Sequence, residues 1–420
     1  MNAQPPMPRL EDLDDASFDP FALQHMQKVT TEDPYPVIRD LLSKGRVHQG
    51  SFRDLFETMP DVEMEGLNHY IVLSYDLVQQ VFLDAEAFGN HDAFKFNLGR
   101  SFGRTVSAMD DAEHARFRRI FQRAFLPQTV AKWGESVVQP VLDKLVGRFI
   151  DRGEADLLAE FTHHYPFQVV YSQLGIGEDQ GPRFHKLAIA QLSSTVGVPQ
   201  GAESTAKLGK FFAELLEVRR ANPGDDLVSH LAMAEVDGER LPDEVLISFL
   251  RQLMNAGGDT TYVGTSLVLT GLLTNPEQLA AVIADRSLIP QAIDEALRWE
   301  SPITSTWRAA RRDVVLDGVA IPKGAILNVN IGSANRDPTK FPDPDRFDIF
   351  RERSVRPFPF ASGPHVCIGQ HLARFEMARA LNTLFDRLPN LRLDPDKPPP
   401  RIVGHTGRVP EHIHVKFDVK

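Results

Sequence analysis

Apolar residues recur at helical spacing along most of this chain, and strand-like patterning is confined to short stretches. The spacing predicts helices over 34–45, 75–82 and 110–125, and a series of helices over 130–212 broken at Gly175-Ile176-Gly177 and Gly197-Val198-Pro199. A short strand is expected at 69–74, with further strands and tight turns over 307–324. The stretch 88–107 mixes Gly, Asn, Lys and Phe without a period, so it is expected to be irregular. Segments of that kind more often cover a site than fill a core. Its Phe94, Phe96 and Phe102 either line a pocket or anchor the loop.

The longest predicted helix runs over 242–274, opened by Pro242 with Asp243 and Glu244 in its first turn and ended by Asn275-Pro276. Such a helix is about 50 Å long at about 1.5 Å per residue. It is apolar on most faces, with Val245, Phe249, Leu250, Leu253, Leu267 and Leu273, and is expected to be buried. Its middle, Asn255-Ala256-Gly257-Gly258-Asp259-Thr260-Thr261, breaks that pattern. Two glycines and an acid are unfavourable inside a buried helix, and such violations are expected at functional sites. The alternative is a glycine-kinked core helix with a capped acid. A shorter helix follows at 290–299, and another starts at Gln370 and runs to about Leu381. The fold class expected from this pattern is mainly α with a small β-rich region.

Composition narrows the function classes. The chain has 420 residues, 25% of them charged, and a formal net charge of −11, which argues against nucleic acid as a partner. There is no linker, repeat or low-complexity tract, so one domain spanning 1–420 is expected. No run approaches the roughly 18 apolar residues of a membrane span, and the N-terminal stretch lacks the basic and apolar regions of a signal peptide. A cytoplasmic protein without a membrane anchor is expected. The single cysteine rules out a disulfide framework and suits a reducing compartment.

That cysteine, Cys367, lies in Phe360-Ala361-Ser362-Gly363-Pro364-His365-Val366-Cys367-Ile368-Gly369. Gly363 and Pro364 shape a tight turn, and Cys367 sits just before a helix N-terminus, where free N–H groups and the dipole stabilise a thiolate. A thiolate held there suits axial ligation of haem iron. The alternative is a buried cysteine in a glycine-rich turn. On the helix at 110–125, His114, Arg118, Phe121 and Phe125 share one face, and Arg116, Arg119 and Arg123 the opposite one.

The spacing Phe-x-x-Gly-x-His-x-Cys-x-Gly over 360–369 resembles the haem-thiolate signature of the cytochrome P-450 family. The long-helix block resembles that family's Ala/Gly-Gly-x-Asp/Glu-Thr motif, and Glu295-Ala296-Leu297-Arg298 its Glu-x-x-Arg motif. Glu-x-x-Arg alone is nearly worthless, since it recurs at Glu113, Glu217 and Glu376; its place between the long helix and the cysteine loop selects Glu295. The resemblance covers nearly the whole chain, from the helix at His114 to a hairpin tip at Gly404-His405-Thr406.

The resemblance implies a triangular helical prism with a long central helix (242–274) over a haem b and a haem-thiolate loop at 358–369. It implies that Cys367 ligates iron within a loop that includes Phe360, Gly363 and Gly369. His114, Arg118, Arg308 and His365 match donors to the haem propionates. Small residues such as Ala256 would open a groove for dioxygen, and Asp259 and Thr260 would control proton delivery. Glu295 and Arg298 would form a buried scaffold pair, with Arg346 completing the network. Gln252, Asn255, Thr304, Thr306 and His405, with Phe94 and Phe96, are candidate pocket residues. His405 leans toward a solvated turn histidine. Asn255, Gly258 and His405 depart from the family pattern and are expected to bear on substrate choice.

The activity implied is a monooxygenase that inserts one atom of dioxygen into a small apolar organic substrate, most simply by hydroxylation. Electrons are expected from a ferredoxin-type donor with its own reductase. The arginines of the outer face either receive that donor or form a solvated basic face. A monomer is expected. Two other classes stay open: a peroxide-driven haem-thiolate peroxygenase, against which the Asp259–Thr260 pair argues, and a non-catalytic haem sensor, for which no attached DNA-binding module or basic region speaks.

Overall fold

The computed structural model describes residues 7–22, 33–56, 64, 66–95, 97–236, 238–352 and 354–419. Helices dominate, and Asp243–Leu273 is the longest of those described. Pro242 caps it, and Asp243 and Glu244 complement the dipole of its first turn. Beyond Thr261 it is buried on every face, as its apolar sequence requires.

This helix joins two cores. Its first half contributes Leu246, Phe249, Leu250 and Leu253 to a cluster with Phe121, Phe125 and Phe212. Its second half contributes Val268, Leu269 and Leu272 to a cluster with Phe149, Ile293, Leu297, Leu381 and Leu384. The helix Gln370–Arg387 reaches both, through Leu372 in the first and Met377 and Leu381 in the second. It therefore fixes the cysteine loop, which precedes it, relative to the long helix. It runs six residues past the expected end at Leu381, because Thr383, Leu384 and Phe385 continue its buried face.

The strand content gathers mainly in a five-stranded sheet ordered Val47–Gln49, His69–Val72, Ile326–Asn330, Ser305–Ala310 and Phe88–Gly89. Ile326–Asn330 is buried throughout and lies parallel to His69–Val72 and antiparallel to Ser305–Ala310, with Leu327 opposite Arg308. The tight turns expected after 307 are present: Val314–Leu316 pairs with Val319–Ile321 across Asp317 and Gly318, both at positive φ. Ile402–Val403 and Val409–Pro410 form the C-terminal hairpin, whose tip pairs back to Ile303 through Gly407.

The stretch 88–107 is not irregular. It holds the strand Phe88–Gly89, the short helices His91–Phe94 and Leu98–Phe102, and a turn at Val106–Ala108. Each piece is too short for a periodic signal, and Asn90 fixes the path by donating from Nδ2 to the Ser107 carbonyl (3.0 Å). Among the described residues no single helix is long and apolar enough to cross a membrane.

Candidate functional site

The cysteine loop is shaped by backbone that few residues tolerate. Ala361 and Gly363 have φ of 57° and 72°, and a Cβ at Gly363 would lie 2.2 Å from the Phe82 carbonyl oxygen. Val366 N–H donates to the Gly363 carbonyl (3.1 Å) and Cys367 N–H to the Phe360 carbonyl (2.9 Å). The turn delivers Cys367 three residues before the helix Gln370–Arg387. Burial pushes the Cys367 thiol up, while the Gly369 and Gln370 N–H groups and the Arg118 and Arg374 guanidiniums pull it down. The residue keeps accessible surface, so dense protein behind the sulfur and reach from the other side coexist. Arg374 stacks on Phe360 at 4.3 Å and pairs with Asp294 at 2.7 Å, bracing the start of the loop.

Beside the loop, the expected propionate donors converge. The His114 and His365 rings are 3.9 Å apart between centroids, and the Arg118 guanidinium donates to the Val366 carbonyl. Arg308 is 4% exposed, lies 5.2 Å from the Phe82 ring, and donates to the Trp307 carbonyl. Burial pushes its guanidinium down to about 10, and the His114 imidazole down to about 4 by burial and then by His365 and Arg118. His114 Nε2 is buried without a partner. Among the described residues the one carboxylate facing these groups is Asp110, 3.7 Å from His365 and already accepting from the N–H groups of Asn90 (2.9 Å) and His91 (3.0 Å). A cluster so rich in donors and so poor in anions fits a group carrying two carboxylates next to a sulfur ligand, as a haem does.

In the long helix, Ala256 is exposed although its neighbours Met254 and Asn255 are buried, so the helix lines accessible space at this point. Asp259 and Thr260 are partly accessible, and Thr260 Oγ1 donates to the Ala256 carbonyl at 3.0 Å. The two glycines serve packing as well. A Cβ at Gly258 would lie 2.5 Å from the Phe167 ring and one at Gly257 2.8 Å from Val170, both on the helix Tyr165–Gln173. Gly258, expected to bear on substrate choice, therefore sits against a neighbouring helix.

The Glu295–Arg298 pair is fully buried at 2.8 Å, and Arg298 also donates to the carbonyls of Asn335, Pro344 and Arg346. The network is completed by Arg351 and not by the Arg346 side chain. Arg351 Nε donates to Glu295 Oε1 (3.1 Å), and its Nη2 to the Asp343 and Arg346 carbonyls (3.0 and 2.7 Å). Arg346 contributes only its carbonyl; its side chain is 67% exposed and pairs with Asp348. The chain turns at Asp343, at positive φ, which points Arg346 outward and returns Arg351 to the pair.

The expected pocket residues separate. Phe94 is buried edge-on to Trp307 at 6.2 Å and packs with Ala309 and Ile326, so it anchors its loop to the sheet. Phe96 lies outside the described residues. Gln252 is tied through both amide atoms to Ser107 Oγ. Thr304 Oγ1 donates to the His405 carbonyl and fastens the hairpin tip, while Thr306 is half-buried in the sheet opposite Val329. His405 is not a solvated turn histidine. It is 5% exposed, packs on Phe56 at 5.3 Å, and burial pushes it down to about 4. Asn255 is buried with both amide atoms unpartnered.

Sequence reasoning missed Asp110, Phe82 and Arg351. The signal for Asp110 was present, since it precedes the helix Asp111–Ala124 as its cap residue. Nothing in the sequence ties Phe82 to Gly363 or Arg351 to Glu295.

Comparison with known proteins gives the family. The Cytochrome P450 family model matches residues 202–417. Cytochrome P450 107B1 of Saccharopolyspora erythraea is 34% identical over 79% of this chain and 84% of its own length. Cytochrome P450-terp of a Pseudomonas species is 32% identical over 78% of this chain and 80% of its own. Among solved structures, CYP108D1 from Novosphingobium aromaticivorans superposes with a TM-score of 0.81 at 27% identity, over 96% of this chain and 97% of that one. P450BioI, solved in complex with a hexadec-9Z-enoic acid ligated acyl carrier protein, gives 0.81 at 26% identity over 92% and 99%. The chain belongs to the cytochrome P450 family, the haem-thiolate monooxygenases, and is an enzyme of that family.

Proposed function

We propose that this enzyme hydroxylates a small apolar organic molecule, using haem b held by Cys367 and electrons from a ferredoxin-type donor with a separate reductase. The observation that carries the reading is the convergence of His114, Arg118, Arg308 and His365, with a single carboxylate among them, beside the only cysteine. When bound, haem supplies the redox chemistry that splits dioxygen.

The chain's own residues hold and steer. Cys367 supplies the thiolate, and the Gly369 and Gln370 N–H groups stabilise its charge. Phe360 and Gly363 set the loop's shape, and Gly369 leaves no side chain over it. Ala256 keeps one face of the long helix low, so that dioxygen can reach it. Thr260 Oγ1 can donate and accept, so it can hold a water in line, and Asp259 can pass a proton to it from solvent. The basic groove lined by Arg118, Arg119, Arg123, Leu126 and Pro364, about 420 Å³, would receive an acidic donor behind the loop. Arg116 sits to one side, 3.5 Å from Glu239. The whole chain would act as one domain, as a cytoplasmic monomer.

The test is spectral. The reduced carbon monoxide complex should absorb at the thiolate position, and Cys367→His should abolish that band. A freshly purified protein that binds haem but lacks the band would refute the assignment. Turnover with a reductase system against turnover with hydrogen peroxide separates the monooxygenase from the peroxygenase, and absence of both leaves the sensor.

A further inference from the structure

Arg251 occupies the long helix two turns before Asp259 and takes no part in the arrangement described above. Its guanidinium makes no hydrogen bond or ion pair among the described residues, and its Nε is buried without a partner. Only its backbone carbonyl is engaged, accepting from Gln191 Nε2 at 3.0 Å. Burial holds the guanidinium below its ordinary value, with no carboxylate to offset it. A guanidinium cannot shed its charge, so an unpaired, half-buried one is costly.

The fold nevertheless makes room for it. A Cβ at Gly209 would lie 1.8 Å from Arg251 Nη2, so the helix Pro199–Ala221 seats the guanidinium in this position because Gly209 has no side chain. A Cβ at Gly103, after the helix Leu98–Phe102, would lie 3.8 Å from Nη1. A glycine inside a helix is unfavourable relative to alanine. The chain thus carries an unpaired cation and a glycine that seats it, between the long helix and two elements that cover it. One turn further on the same face, Asn255 presents an amide with neither atom satisfied. A further turn along the same face lies Asp259.

We infer that Arg251 is the anchor for a carboxylate on the substrate, with Asn255 contacting the polar or unsaturated part that follows. The substrate class is therefore an organic acid with an apolar body. Arg251 and Asp259 are eight residues apart, a rise on the order of 12 Å, so the carbon attacked lies far from the carboxyl group. What happens to the bound acid rests on the monooxygenase reading; the binding does not.

Calorimetric titration of the holoenzyme with dodecanoic acid, its methyl ester and a ring-bearing carboxylic acid with its ester tests the anchor without turnover. At least one acid should bind about 10-fold or more tightly than its ester, as a charge-assisted, bidentate contact provides. Arg251→Gln should remove that preference and leave ester affinity unchanged, and Arg251→Lys should restore part of it. Melting temperature should be unchanged or raised in Arg251→Gln, because an uncompensated cation is removed. The inference is overturned if no acid outbinds its ester, if Arg251→Gln weakens both equally, or if that variant melts several degrees lower. Loss of the thiolate carbon monoxide band alongside intact acid selectivity would instead sink the haem assignment and spare the anchor.

Discussion

Arg351 and Arg346 offer a direct test of the buried scaffold, because the family motif points to one and the geometry to the other. Arg351 is 7% exposed at its side chain and shares Glu295 with Arg298, both of which are 0% exposed. Arg351→Met keeps much of the aliphatic stem but leaves Glu295 with one guanidinium and uncaps the carbonyls of Pro342, Asp343 and Arg346. Hydrogen bonds to charged groups contribute about 1.5–3 kcal/mol, and Arg298 still holds the carboxylate, so a loss of about 2–3 kcal/mol is expected. Arg298→Ala breaks the central pair itself and should cost about 3–5 kcal/mol. Arg346→Ala removes an exposed ion pair with Asp348 and should stay within about 0.5 kcal/mol. For 420 residues, at about 2.1 cal/mol/K per residue, the unfolding entropy is near 0.9 kcal/mol/K. The expected drops in melting temperature are then about 3 °C, about 4–5 °C and under about 1 °C. Urea unfolding followed by far-UV circular dichroism gives the free energies directly. If Arg346→Ala costs as much as Arg351→Met, the network drawn here is wrong.

Other expectations are simpler to state. Thr260→Ala should bind haem and substrate as the parent does, yet yield less product per reduced nicotinamide and more hydrogen peroxide; unaltered coupling would reduce the motif to packing. Gly258→Ala should lose about 1–3 kcal/mol in urea unfolding, since Phe167 is held from behind by His185 at 3.8 Å and cannot retreat. Reversing Arg119 and Arg123 to Glu should raise the donor's apparent KM and weaken its salt dependence, with substrate-induced spectral shifts intact. His185 is pushed down to about 3, chiefly by burial and then by His163 and His164, so it is neutral in the fold while the unfolded chain protonates near 6.5. The contribution of His185 should therefore fall as pH drops through that window, by about 1.4 kcal/mol between pH 7.5 and 5.5, and His185→Phe should lessen the slope by that amount while His114 and His405, likewise held down, sustain the rest.

Much of the fold is legible in the sequence because its strongest signals are long and local. The long helix announces itself by Pro242, its acidic first turn and its apolar faces, and the cysteine loop by fixed spacing. The errors lie where the answer depends on partners distant in sequence. Arg346 and Arg351 cannot be ranked without knowing which way the chain turns at Asp343. His405 looks solvated in a Gly-His-Thr tip, but Thr304 and Phe56 pull that tip inward. Gly258 looks like a determinant of substrate choice until Phe167 is seen against it. In each case a local rule is overridden by a contact that no window of sequence contains.

The buried polar groups also sort by what satisfies them, and the sorting separates scaffold from site. Glu295, Arg298 and Arg351 satisfy one another, as do Glu300, Arg336 and Arg408, with charge pairs at 2.8 and 2.9 Å. These groups need nothing from outside the chain. Glu376 is buried with Oε2 unpartnered, yet burial raises its carboxyl well above the ordinary range, so it answers its isolation by keeping a proton. That route is closed to a guanidinium, whose charge persists at any physiological pH. Among the described residues Arg118, Arg308 and Arg251 are buried or half-buried without a carboxylate partner, and His114 beside Arg118 and Asn255 beside Arg251 each carry an orphaned polar atom. None can shed its charge, and none is paired with an anion of the chain among the described residues. Such cations call for anions from outside the chain: in the proposed assignment, haem propionates at one end and the carboxylate of an organic acid at the other.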